Sequence, residues 1–286
     1  MHHIPFDVLE TIILLCDDRD LPTLSQVNRT LQDLAERQLY ADIGIIDVAR
    51  TCRILNSIVH STFSRGRFVL NFRIHDSYFH VTNPGYQLFV GFYRLLGQAL
   101  RRMSNLRILF LHLHPSKAWV IHNCTMQLST IVTNIPAGQL LASWLERQDR
   151  LGVFLHADKS SHPIPRDFIV STNDLSHLKF IGARGPVLNQ LVPGRPVVCA
   201  FLSYMDDYIY DGEHEEGRVD YIDVMHALEA STGPLHTFGV HFRPLTRDKI
   251  QSVIPFFATQ SFELPEVQIL DLHWPRNEDY IMSVSF

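Results

Sequence analysis

IPFDVLETIILLCDDRDLPTLSQVNRTLQDLAERQLYADI, residues 4–43, is dense in leucine and isoleucine at helical spacing, and its reading decides what kind of chain this is. Val8, Leu9, Ile12, Ile13 and Leu15 recur at steps of three and four and put a broad apolar side on a first helix. Asp7 followed by Glu10, with Pro5 upstream, predicts a capping-box start near Phe6. Asp17, Asp18, Arg19 and Asp20 then break the pattern. Asp20 is placed to cap a second, short helix that tolerates Pro22 in its first turn and carries Leu21, Leu24 and Val27 at steps of three. A third helix sets Leu31, Leu34, Ala35 and Leu39 against Gln32, Asp33, Glu36 and Arg37. Three short amphipathic helices in about forty residues bury too little apolar surface to stand alone, so they must lean on something else.

The order of these residues resembles the F-box family. The match runs through Ile4-Pro5, Leu9, Ile12, Ile13, Leu15, Asp20-Leu21, Leu24, Val27-Asn28-Arg29, Leu31, Leu34, Ala35 and Leu39-Tyr40-Ala41-Asp42-Ile43. Ile4 stands where the family usually has Leu, and only Met1, His2 and His3 precede the motif. The resemblance implies docking on a Skp-type adaptor, held in turn by a cullin scaffold with its RING subunit and a ubiquitin-conjugating enzyme. Carried over position by position, it makes Ile4, Pro5, Leu9, Ile12, Leu21, Leu24 and Val27 the adaptor-facing residues. Periodicity alone allows the opposite reading, in which the same apolar residues are buried inside the chain's own fold.

Composition sets the outer bounds. The chain has 286 residues, 46% of them hydrophobic and 19% charged, which suits a globular protein with one large or two modest domains. A net charge of −5, with no dense run of Lys and Arg, argues against a nucleic-acid footprint. No apolar run approaches the roughly eighteen residues of a membrane span, and no secretion signal is apparent at the start. The expectation is a soluble protein of the cytoplasm or nucleus, with no membrane partner. Cys16, Cys52, Cys124 and Cys199 form no Cys-x-x-Cys pair and read as small buried hydrophobes in a reducing compartment.

Beyond the cassette, helical stretches alternate with short apolar runs, predicting an α/β fold with a parallel sheet. A helix through Val48, Cys52, Leu55 and Val59 precedes a strand over Phe68–Ile74, and one over Leu88–Met103 precedes Leu106–Leu111. A third near Gln139–Arg147 precedes Leu151–Leu155. Further strands are expected at Leu178–Ile181, Val197–Leu202, Leu235–Phe242 and Val267–Leu272, with helices near Tyr221–Ala230 and Arg247–Phe257. NLRILFLHL and EVQILDLHW share one shape, which predicts stacked units, so that behind the F-box-like residues 1–44 an irregular leucine-rich-repeat-like solenoid is expected over 45–286. The strand starts are unevenly spaced and the usual ladder asparagine is missing, so an ordinary parallel α/β domain is the alternative. Degenerate repeats behind an F-box resemble the F-box proteins abundant in fungi, where a segment like Leu191-Val192-Pro193-Gly194-Arg195-Pro196-Val197 serves as a linker. After Trp274 the chain is expected either to cap the array or to be cut short.

Catalytic signals are sparse. His112 and His114 alternate on one strand, with His122 and Cys124 close behind, but histidine is common here, at sixteen residues, and the spacing fits no closed metal site. The stretch Asp206, Asp207, Asp211, Glu213, Glu215 and Glu216 reads as a solvated loop or as a rim for basic peptides. No nucleophile elbow, phosphate loop, dinucleotide fingerprint or zinc-protease helix occurs, and Gly182-Ala183-Arg184-Gly185 reads as a turn. Beside these sparse signals, the F-box resemblance implies a non-enzymatic, cofactor-free substrate receptor of a ubiquitin ligase. An F-box interaction protein without a ligase role is the first alternative, and an α/β enzyme with a helical appendage the second.

Overall fold

Pro5 starts helix α1 (Phe6–Leu15) by conformation alone: its fixed φ of −57° suits the entry, and no side chain caps the first turn. The expected capping box is therefore not formed, although Asp7 sits in the first turn, where a negative charge suits the helix dipole. Asp20 likewise precedes α2 (Leu21–Leu24) without a side-chain cap, and only its carbonyl accepts, from the Thr23 and Leu24 N–H groups. Helix α3 (Arg29–Ala41) does have a side-chain cap, Asn28 Oδ1 accepting from Leu31 N–H at 2.9 Å. The computed structural model describes residues 4–44, 47–61, 65–75, 89–157, 167–203, 221–241 and 269–273.

Strand β1 (Asp42–Gly44) follows α3 with no loop between them. Asp47 then caps α4 (Val48–His60) through bonds of 3.1 Å from the Ala49 and Arg50 N–H groups. A 3-10 turn at Arg65–Phe68 leads to β2 (Asn71–His75), and α5 (Val90–Arg102) leads to β3 (Ile108–His112). A second 3-10 stretch, Pro115–Ile121, precedes β4 (Thr130–Thr133). The four strands pair in parallel and in chain order, so Ile43, Phe72, Leu109 and Ile131 form one rung, all buried. Alternate residues point to opposite faces of a strand, which leaves Arg73 and Phe110 on the open side. Gly66 is required here, because a Cβ would collide with the backbone carbonyl of Arg102. Asn134 clamps the next layer, exchanging side-chain bonds of 2.8 and 2.9 Å with the N–H and C=O of Leu113.

The second half is built the same way. Helix α6 (Gln139–Leu145) precedes β5 (Val153–His156); then come β6 (Phe180–Ala183), α7 (Gly185–Leu191), β7 (Cys199–Ser203), α8 (Tyr221–Glu229), β8 (Thr237–His241) and β9 (Ile269–His273). From β5 to β9 every pairing is parallel and between chain neighbours, with Phe154, Ile181, Ala200 and Phe238 in one buried rung. Gly182-Ala183-Arg184-Gly185 is not the expected turn: it ends β6 and opens α7, whose second position takes Pro186. The expected helix over Arg247–Phe257 and the residues after Trp274 lie outside the described residues.

The linker-like segment turns out to be a fastening. Gly194 adopts φ 74°, and Arg195, fully buried, donates to the carbonyls of Ser171 (2.6 Å), Asp174 (2.9 Å), Gln190 (3.1 Å) and Val170 (3.3 Å). Burial pulls its guanidinium below the usual arginine range, with Asp174 opposing the change. Packing divides the chain into two compact units, Met1–Ile135 and Pro136–Phe286. The expected break at residue 44 thus falls inside the first unit.

Candidate functional site

Helix α1 carries two apolar stripes, and its own fold uses one of them. Ile13 is buried with Leu21, Leu34 and Ala35, and Leu9, Cys16, Leu24, Leu31 and Leu39 pack against that cluster. Leu9, Ile13 and Cys16 stand at steps of four and three and so share the inward face. Val8, Ile12 and Leu15 form a parallel row about a quarter of a turn away. That second row is open: Val8 is 47%, Ile12 45% and Leu15 83% exposed. Ile4, Phe6 and Leu14 are exposed as well, and so is Val27 at the end of the α2 region. This many uncovered large apolar side chains on and beside one helix make it a candidate docking face.

The seven residues carried over from the resemblance separate into three groups. Ile4, Pro5, Ile12 and Val27 are exposed. Leu9 and Leu24 are half-buried against the cassette's own cluster. Leu21 is 0% exposed and wholly internal, so its side chain has no surface to present to a partner. Its place as an adaptor-facing residue is corrected on that ground: the three-residue step it shares with Leu24 packs it under α3. Phe6, Val8, Leu14 and Leu15 were not among the seven, yet they are open. A helix apolar on more than one face was the sequence signal for them. Asp7, Glu10, Asp17, Asp18 and Asp20, all exposed, border this surface with negative charge.

The cassette is bolted to the 3-10 turn and to α4. Glu36 is buried on α3 and pairs with Arg65 at 2.6 Å, a hydrogen bond that pushes the Arg65 pKa further up. The Arg65 guanidinium also lies over the Tyr40 ring, at 5.6 Å from its centre, and the Tyr40 hydroxyl meets Ser57 Oγ on α4 at 2.9 Å.

The histidines singled out as a conceivable metal site are not assembled into one. His112 stacks on His75 at 4.5 Å, while His114 Nδ1 meets Ser116 Oγ at 3.0 Å and caps the 3-10 stretch beginning at Pro115. Buried Cys124 donates to the Val120 carbonyl and His122 is exposed. Among the described residues no three His, Cys, Asp or Glu side chains are grouped to hold an ion. The acidic stretch from Asp206 to Glu216 lies outside the described residues.

Residues 1–40 match the family model of the F-box domain. That stretch is similar to an F-box. It covers α1, α2 and nearly all of α3, which is the helical cassette whose second stripe is left open. Among the curated proteins, nothing matches the chain. An F-box implies a Skp1-type adaptor as partner and, through it, a cullin-RING complex of the ubiquitin system. No helix among the described residues is long and apolar enough to cross a membrane.

Proposed function

We propose that this protein is the substrate-recognition subunit of a Skp/cullin/F-box ubiquitin ligase, working in the cytoplasm or nucleus. The observation that carries the reading is the uncovered row Val8, Ile12 and Leu15 beside Ile4 and Pro5, within the residues that match the F-box. In this assignment Ile4, Pro5, Ile12 and Val27 touch the adaptor, with Phe6, Val8 and Leu15 added. Leu9 and Leu24 shape the surface from beneath. Residues 45–286 form the target-binding part, an irregular leucine-rich-repeat-like solenoid. Strand order that follows chain order within each unit supports that description, because a doubly wound α/β sheet reverses its direction of growth at a switch point.

The mechanism is positional. The F-box anchors one end and the repeat region holds a target, so that target lysines meet the charged conjugating enzyme at high effective concentration. The protein itself contributes no nucleophile.

Pull-down of a Skp-type adaptor by the full chain tests the assignment. Ile12→Asp with Leu15→Asp is expected to abolish retention while leaving the melting temperature nearly unchanged, since both side chains already face water. Retention equal to that of the unaltered chain overturns it. Substituting Leu9 and Leu24 is a poorer test, because both help to hold the cassette together. Recovery of the adaptor without a cullin favours an interaction protein with no ligase role.

A further inference from the structure

Charge is sorted along this chain in a way its overall balance hides. Residues 1–47 hold nine Asp and Glu against three Arg. Residues 48–145 hold ten Arg and Lys against a single acid, Asp76. No run in that middle stretch is conspicuously basic; the fold does the gathering. Helices α4 and α5 pack directly against each other within the first unit. Each buries one side, through Leu55, Ile58 and Val59 on α4 and Phe92, Leu96 and Leu100 on α5. The opposite sides expose Arg50 and Arg53 on α4 and Arg94, Arg101 and Arg102 on α5. Packed helices run about 8–10 Å apart, so these are neighbouring rows of one surface.

Helix stability does not account for this placement. Arg101 and Arg102 sit in the last turn of α5, where a cation suits the dipole. Arg50, Arg53 and Arg94 sit in the first half of their helices, where it does not. Among the described residues none of the five is within ion-pair distance of a carboxylate. Like charges side by side with no carboxylate in an ion pair among the described residues cost stability and suit an anion.

We infer that the outer faces of α4 and α5 form a docking surface for an acidic polypeptide segment, rich in Asp and Glu. A short acidic peptide fits within the basic block. A nucleic acid or an anionic membrane calls for a more extended basic surface than five arginines in a chain of net charge −5 supply. The arginines of this surface are on α4 and α5, whereas the open apolar row is on α1.

Fluorescence anisotropy of the full chain with labelled decaglutamate at low salt tests this. Binding is expected to weaken steeply with salt. The triple change Arg50→Glu, Arg53→Glu and Arg94→Glu is expected to weaken it by about tenfold or more. Arg19→Glu, Arg150→Glu and Lys179→Glu together make the same change in net charge at exposed sites elsewhere and are expected to leave binding within about twofold. The corresponding three Arg→Gln changes, which keep side-chain bulk, are expected to fall between. Equal losses from the two Glu triples overturn the inference. So does absence of peptide binding, or tighter binding of a short DNA duplex or of anionic vesicles than of the peptide.

Discussion

Leu15 and Leu21 are the same residue type a few positions apart, and the structure gives them opposite duties. Leu15 faces water and Leu21 is sealed beneath α3. Leu21→Ala is expected to cost about 2–5 kcal/mol in urea unfolding, by lost transfer energy and the cavity left behind. Leu15→Ala is expected to stay within about 0.5 kcal/mol. Periodicity marked Leu15 on α1 and Leu21 on α2 alike as apolar face residues and went no further, because spacing within a short helix does not say which face a neighbouring helix covers. Only the position of α3 decides which is covered. Arg195 was legible even less. It reads as a linker residue, yet it closes four carbonyls, and Arg195→Met is expected to cost about 3 kcal/mol by leaving buried acceptors unpaired. Thermal melting measures that loss, and an unchanged melting temperature refutes the fastening role.

At the level of elements, long periodic stretches were readable and several short ones were not. Helices α3, α4 and α5 stand where their apolar spacing put them, since each buries one stripe of a three-turn helix. Strands β1 and β4 were missed: β1 has three residues, and β4, Thr130–Thr133, has only two apolar residues between its threonines, against the longer apolar runs that lead into β5 and β6. Helix α7 escaped because its start, Gly185 and Pro186, carries turn chemistry that also serves a helix N-terminus. The 3-10 turn at Arg65–Phe68 fits against the end of α5 only through Gly66. Gly66→Ala is expected to destabilise the chain by about 1–3 kcal/mol, since the obstructing atom is a backbone carbonyl that cannot swing away. Denaturant melts of the variant decide it.

For the whole molecule, alternation of helix and apolar run was enough to predict a parallel sheet. The packing units were not visible, because nothing in composition changes at residue 135. Their existence yields a test of how the F-box is supported. A fragment of residues 1–135 keeps the Glu36–Arg65 pair and the β1–β4 pairing, and is expected to melt cooperatively and retain a Skp-type adaptor. A fragment of residues 1–44 loses Arg65, Ser57 and β2 and is expected to show little cooperative melting by circular dichroism. Equal stability of the two fragments shows that the cassette needs no support.

The direct run from Ala41 into Asp42 makes the helical cassette and the sheet share one phase. Inserting a single residue at that seam swings α1 and its open row by about 100° around the α3 axis, or else slips β1 so that Ile43 turns outward. Cassettes exchanged between such proteins by splicing or recombination must therefore be counted to the residue. A graft out of step sets the cassette's open row at the wrong bearing to the sheet, even when both halves are intact.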